Sequence, residues 1–265
     1  MADVEGSSEE QALLARWYDL DLTDDPGDID LYLALAAQSG GAVLELAAGT
    51  GRIAVPLAAA GHEVVAVDHD AAMLDRARAA WSRLPAGTGT GSLELVEADL
   101  LEVDLGPRFD LVILALNGLL LMGTAVRQAA ALAAIARHLR PGHGRAVLDI
   151  ALPAADDLVA YDGRMQFEWQ RTDLVSGHVV AKISAARHDA ATAEVELTTI
   201  FDTWPAGAGA VTRVARTDRL RLVGAAELTG MAALAGLRTL ELAGDHGLSP
   251  FGPGAERVVL VAGLV

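Results

Sequence analysis

Three acids and one glycine loop are the residues of this sequence best placed to do chemistry. Residues 43–51 read Val-Leu-Glu-Leu-Ala-Ala-Gly-Thr-Gly, an apolar run that breaks into Gly49-Thr50-Gly51 before a helix-forming stretch. Glycines there let the backbone approach a ligand closely, at the N–H-rich start of a helix. Gly49, Gly51 and Ala54 also fit the relaxed G-x-G-x-x-A pattern of dinucleotide sites, with Asp68 closing the next apolar run. The loop alone therefore admits a nicotinamide-dependent oxidoreductase. Glu45 bears on that choice. A carboxylate four residues before Gly49 would oppose a pyrophosphate and attract an ammonium group, although a strand acid satisfied by loop amides is the plain alternative. Asp68 can accept both hydroxyls of a ribose, which either cofactor class would use. Asp99, in Glu97-Ala98-Asp99-Leu100, can accept from an exocyclic amino group while Leu100 offers a backbone N–H to a ring; a lone Asp is also a common turn residue. Three acids at successive strand ends favour a ligand, because open α/β sheets bind beyond the carboxyl ends of their strands.

The elements that must position these residues follow from periodicity. The pattern predicts helices at 11–20 and 28–38 and strands at 42–47, 63–68, 93–97, 109–116 and 145–151. Helices are predicted at 52–60, 70–83 (with Asp70 as N-cap) and 124–139, before Pro141-Gly142. Strands alternating with helices predict a Rossmann-like, doubly wound α/β sheet. Beyond Pro153 the segments 164–173, 178–189, 194–204 and 211–222 alternate with period 2 and read as antiparallel strands. A helix near 225–235 and strands near 237–243 and 256–264 complete a seven-stranded sheet. The expected organisation is a helical N-terminal lid (1–40), a cofactor-binding core (41–152), an antiparallel insertion over the acceptor site (153–222) and a C-terminal part of the core sheet (223–265), with residues 1–10 a loose tail.

Composition narrows the function. A net charge of −16 disfavours nucleic acid as a partner and tolerates a cationic ligand, while also serving solubility. The absence of cysteine removes disulfides, zinc–thiolate sites and thiol nucleophiles, and no His–acid cluster has metal-ligand spacing, so no metal is expected. The polar N-terminus differs from a secretory signal, and the uncharged run between Asp110 and Arg127 is too short to span a bilayer. These features predict a cytoplasmic protein that avoids membranes.

Glu45-x-Ala47-x-Gly49-x-Gly51, Asp68, Asp99 and Phe109-Asp110-Leu111-Val112 resemble, in order, the motifs of class I S-adenosylmethionine-dependent methyltransferases. The resemblance runs from about residue 16 to the end. Within that superfamily, Tyr18-Asp19 and the inserted sheet are similar to the bacterial small-molecule, secondary-metabolite branch that includes sugar N-methyltransferases. It implies S-adenosyl-L-methionine as cofactor, held by Glu45, Ala47, Gly49, Gly51, Asp68, His69, Met73, Asp99, Leu100 and Leu116. Ala47-Ala48 stands where relatives often have Gly-Cys, a mild departure.

For the acceptor, the resemblance places Asn117 where substrate meets the methyl group. Relatives often carry His or Tyr four residues later; here Leu121 follows, so that turn supplies no general base. This suits an amine, or an electron-rich carbon, better than an unactivated alcohol. Gly118 replaces the proline needed by nucleic-acid amino-methyltransferases. In the insertion, period 2 puts Gln166, Glu168 and Gln170 on one face and Phe167, Trp169 and Arg171 on the other. Glu168 is a candidate base or acceptor ligand, against a solvent-facing alternative, and Trp169 a candidate stacking residue, against simple packing. Tyr18 is a candidate cover for the sulfonium, and Tyr32, His246 and Phe251 are candidate substrate contacts. The expected reaction is N-methylation of a small metabolite. C-methylation of an indole-like ring and O-methylation are the alternatives, and an NAD(P)-dependent oxidoreductase or a non-catalytic cofactor-binding protein are the rival classes. A homodimer is left open.

Overall fold

The computed structural model describes residues 8–24, 26–85, 90–106, 109–207 and 209–265. Part of the expected N-terminal tail and of the glycine-rich turn after Pro85 lies outside them. By contacts the chain divides into two units, one containing residues up to Asp24 with Pro153–Leu222, the other Asp25–Leu152 with Val223–Val265.

The larger unit is built on seven strands. These are β1 (Val43–Leu46), β2 (Glu63–Asp68), β3 (Ser92–Glu97), β4 (Leu111–Leu114), β5 (Arg145–Ala151) and, late in the chain, β10 (Leu237–Ala243) and β11 (Arg257–Leu264). Helices α2 (Ile29–Ser39), α3 (Ala54–Ala59), α4 (Ala71–Ser82), α5 (Ala125–His138) and α7 (Ala225–Leu234) complete it. Sheet order is β10-β11-β5-β4-β1-β2-β3, parallel except for the pairings of β11 with β10 and β5. Every residue of β1 and β4 is buried, as expected of central strands covered on both faces; β4 is wholly apolar, and Glu45 is the one charged residue of β1. The chain passes outward from β1 to β3 and then returns to place β4 beside β1. The boundary between β1 and β4 is thus the topological switch point, where such sheets bind ligands.

Local signals fix the helix ends. Asp70 caps α4, its carboxylate accepting from Ala72 N (2.8 Å) and Met73 N (3.4 Å). Thr124 Oγ1 caps α5 through Arg127 N at 3.2 Å. At the other end of α5 the buried His138 donates Nδ1–H to Ala134 O (2.8 Å) and accepts from Leu105 N through Nε2 (3.3 Å). Asp110, just before β4, pairs with Arg140 and His143, each at 2.9 Å. A Cβ on Gly41 would lie 1.9 Å from Asp110 Oδ2. Replacing Gly41 by alanine should therefore lower stability by about 2 kcal/mol in chemical denaturation, because a pinned carboxylate must move.

The smaller unit holds α1 (Ser8–Asp21), the six-residue α6 (Ala155–Ala160) and an antiparallel sheet of β6 (Gln166–Thr172), β7 (His178–Asp189), β8 (Glu194–Pro205) and β9 (Thr212–Arg221), in that order. Trp17 of α1 is buried against Val180, Phe201 and Val214, its ring centroid 5.2 Å from that of Phe201. Arg16–Asp173 (2.5 Å) and Lys182–Asp21 (2.6 Å) ion pairs hold the helix to the same strands. One expectation is corrected here. The register of β6 shifts between Phe167 and Trp169, a β-bulge that interrupts the simple alternation predicted for 166–171. Among the described residues, no helix is long and apolar enough to cross a membrane.

Candidate functional site

At the switch point the backbone is strained. Ala47, at the end of β1, has φ 55°; Leu116 and Asn117, beyond β4, have φ 41° and 64°. Non-glycine residues in this region cost about 1–3 kcal/mol each and concentrate at ligand sites. Ala47 is exposed between buried neighbours, and Gly49 (φ 56°) and Gly51 (φ 76°) continue the left-handed turn into α3. A Cβ at Gly51 would lie 2.9 Å from Ala77 Cβ and 3.1 Å from Val55 Cγ2, so this glycine is required by space as well as by φ.

Asp68 organises the loop. Its Oδ2 accepts from Gly49 N (2.7 Å) and its Oδ1 from Asp70 N (2.9 Å), leaving further lone pairs on both oxygens. His69 beside it is 84% exposed, with Nδ1 3.5 Å from Asp68. Met73 and Leu100 are buried. Asp99 Oδ1 accepts from Leu101 N (2.8 Å), and Arg127 approaches its other oxygen at 3.8 Å. The turn role weighed for Asp99 is thus present, and the half-exposed carboxylate retains acceptor capacity.

Strand register puts a second set of polar groups on one face. Glu45 pairs with Ala66 and Ile113, and Ile113 with Val147, so Glu45, Asp68 and Asp149 project to the same side of the sheet. That side is covered by α2 and α3, which supply Tyr32 and Leu57 to its core. Glu45 is 3% exposed; one oxygen accepts from Ala54 N at the start of α3, and its Oε2 is buried without a partner. Burial pushes its carboxyl up from 4.5 to about 8, with Arg52 and the Ala54 N–H opposing and Asp68 and Asp28 reinforcing the rise. The Tyr32 hydroxyl is likewise buried without a partner, and burial together with Asp149, Asp28 and Glu45 pushes it well above the ordinary phenol range. Buried unpartnered polar atoms are rare in finished structures, and these two belong to one polar cluster.

Residues without a sequence-level signal complete the cluster. Arg52 donates to both oxygens of Asp28 (2.5 and 2.7 Å) ahead of α2. Asp149, fully buried in β5, pairs with Arg257 and lies 3.1 Å from His246 Nε2. Asp149 is the lone acid of an apolar strand, a signal that the sequence reading above did not use; the partners of Arg52 and Arg257 leave none. Ligand atoms of Asp28, Asp149 and His246 come within 4.8 Å of one another, a metal-like grouping, yet both carboxylates already carry a guanidinium. Asn117 Oδ1 accepts from Ala151 N (2.6 Å), which fixes the amide orientation and leaves its NH2 group as donor. Phe251, whose N–H donates to Leu242 O at 3.1 Å, shares its loop with His246.

Tyr18, Glu168 and Trp169 belong to the smaller unit. Trp169 Nε1 donates to Asp21 Oδ1 (2.7 Å), its ring lies 6.1 Å from that of Phe201, and Arg171 stacks 4.8 Å above it. Glu168 accepts from Ser184 Oγ, and Tyr18 is a half-buried residue of α1.

Comparison with known proteins agrees with this geometry. A methyltransferase-domain family model matches residues 43–142. The cypemycin N-terminal methyltransferase of a Streptomyces species is 30% identical over 223 residues, covering 84% of this chain and 82% of that protein. The CcbJ methyltransferase from Streptomyces caelestis has a TM-score of 0.74 at 28% identity, over 92% of this chain and 98% of its own. A SAM-bound amino pentose methyltransferase of calicheamicin biosynthesis from Micromonospora echinaspora has a TM-score of 0.65 at 21% identity, over the full length of both chains. The fold and site define a class I methyltransferase. The chain belongs to the S-adenosylmethionine-dependent methyltransferase family, and S-adenosylmethionine is its cofactor.

Proposed function

We propose that this enzyme methylates an amine nitrogen of a small metabolite. The observation that carries this reading is the β4 turn of Asn117, Gly118 and Leu119–Leu121, which holds no acid or base of its own and so suits an amine better than an unactivated alcohol. The cypemycin N-terminal methyltransferase, and an amino pentose methyltransferase among the structures with this fold, both support a nitrogen acceptor.

In this reading the Ala47–Gly51 turn bounds the methionine end of the cofactor, and the unpartnered oxygen of Glu45 receives its ammonium. Asp68 takes the ribose hydroxyls, while Asp99 and Leu100 take the adenine. His69, Met73 and Leu116 line the remainder. When bound, the sulfonium supplies an electrophilic methyl group. The chain's contribution is to fix the acceptor in line with it, a positioning effect worth about 7–11 kcal/mol at best. The Asn117 NH2 group orients a polar acceptor from the β4 side. Incubation with methyl-labelled S-adenosylmethionine and a panel of amino sugars, free-N-terminus peptides, indoles and phenols tests the reading. Label on nitrogen is expected; label only on oxygen, or only on ring carbon, rejects it.

A further inference from the structure

An amine brought to this site meets a problem that the cofactor-binding residues do not solve. Alkyl ammonium groups titrate at about 8–10, so at neutral pH the nitrogen lone pair is occupied by a proton and cannot attack. The β4 turn offers nothing to remove that proton. Within the polar cluster, Asp28 is held by Arg52, and Asp68 by the Gly49 and Asp70 amides. The Glu45 and Tyr32 side chains are buried.

His246 is different. Its side chain is 12% exposed, and its Nε2 lies 3.1 Å from Asp149 Oδ2. A carboxylate already paired with Arg257 accepts this contact, which places the imidazole proton on Nε2 and leaves the lone pair on Nδ1. Nδ1 has no hydrogen-bond partner among the described residues. The loop that carries it is tightly tied: Gly244 N donates to Ser249 O (2.8 Å), Ser249 N to Asp245 Oδ1 (3.0 Å) and Leu248 N to Asp245 O (3.2 Å). The strand beneath is coupled to the reaction turn in both directions. Asn117 N donates to Asp149 O (2.9 Å), and Ala151 N donates to Asn117 Oδ1 (2.6 Å). The His246–Asp149 pair therefore stands one strand across from Asn117, on the side of the sheet that holds Glu45.

We propose that His246, oriented by Asp149, is the general base of methyl transfer, taking a proton from the acceptor ammonium through Nδ1. The inference rests on the amine reading above. The ammonium gives one proton to Nδ1, leaving a neutral amine and an imidazolium that Asp149 stabilises. The freed lone pair forms the N–C bond as the C–S bond breaks and its electron pair goes to sulfur. The imidazolium then releases its proton to solvent. The charged and titratable groups of this cluster are Asp149 on β5, Arg257 on β11, Asp245 in the same loop as His246, Asp28 before α2 with its partner Arg52, and Tyr32 within α2. The same arrangement explains why the grouping of Asp28, Asp149 and His246 serves a proton better than a metal: Arg52 and Arg257 already neutralise its carboxylates.

The test has two arms on the full chain with S-adenosylhomocysteine bound. Long-range nitrogen–proton NMR, with the His246 signals assigned by their loss in His246→Gln, should show a neutral ring protonated at Nε2 and bare at Nδ1. The opposite tautomer overturns the proposal, and this arm needs no acceptor. In the second arm, kcat/KM for labelling of an amine in the panel should rise with unit slope through the imidazole range. His246→Gln should lower it about 100-fold at pH 7, regain rate at high pH where the amine deprotonates unaided, and keep S-adenosylhomocysteine affinity within twofold. A variant with lowered Tm but an unchanged pH profile would make His246 a loop latch and overturn the proposal. Label found only on oxygen or carbon would instead reject the amine reading itself, so the two failures are distinguishable.

Discussion

At pH 7, binding of S-adenosylhomocysteine should release close to one proton, seen as calorimetric heats that differ between buffers of different ionisation enthalpy. The source is Glu45. Its carboxyl sits at about 8 because burial penalises the charged form, so it is mostly protonated in the ligand-free protein at neutral pH. An ammonium placed against the unpartnered Oε2 favours the ionised form and expels the proton. The effect should fade above pH 9, where the carboxyl is already ionised, and vanish in Glu45→Gln. Heats independent of buffer at pH 7 would show that Glu45 does not titrate on binding.

The same group ties stability to pH. The folded-state value of about 8 lies above the unfolded 4.5, so between them the native state binds more protons than the unfolded chain. This contribution is fully present below pH 4.5 and is lost as pH rises through 8. At 1.36 kcal/mol per unit the interval corresponds to a loss on the order of 5 kcal/mol. Glu45→Gln should flatten that part of the stability curve in denaturant titrations. The ligand should offset the loss in the wild type, because it supplies the partner that the ionised carboxylate lacks.

Gly51→Val should abolish measurable cofactor binding and lower stability by about 3–5 kcal/mol. Two independent costs combine. The φ of 76° is unfavourable for a β-branched residue, by about 1–3 kcal/mol. The added carbon also meets Ala77 Cβ at 2.9 Å and Ala77 Cα at 3.3 Å, contacts that push the loop from α4. Ala77→Gly in the same chain should recover part of the steric share and none of the backbone share. A Gly51→Val protein that bound S-adenosylhomocysteine normally would show that the loop does not form the cofactor cradle.

The sheet was legible because its central strands are apolar apart from Glu45 and its helices carry local start and stop signals, such as Asp70 and Pro141. The antiparallel segments were legible from period 2 until the bulge at Phe167–Trp169, which leaves no mark in residue type. The exposed helix Ala155–Ala160 and the 3-10 turn Leu120–Met122 have too few residues to show a period. The site divides the same way. Glu45 announces itself as the acid within the apolar run before the glycine loop and Asp68 and Asp99 as acids at strand ends, whereas Arg52 finds Asp28 across 24 residues and Arg257 finds Asp149 across 108. Pairings of that kind are set by the fold, and no spacing rule reports them. Trp169 was readable only as an aromatic on an alternating strand; its indole N–H is engaged by Asp21, 148 residues away.

The left-handed residues at the strand ends also bear on how this enzyme responds to engineering. Ala47, Leu116 and Asn117 hold conformations that glycine would adopt without strain. A library screened for heat resistance would therefore be drawn toward glycine at these three positions, relaxing the turns that the proposed reading sets around the reacting atoms. If that reading holds, selection for robustness and selection for turnover pull in opposite directions, and the conflict is confined to two short turns beside the β1–β4 boundary.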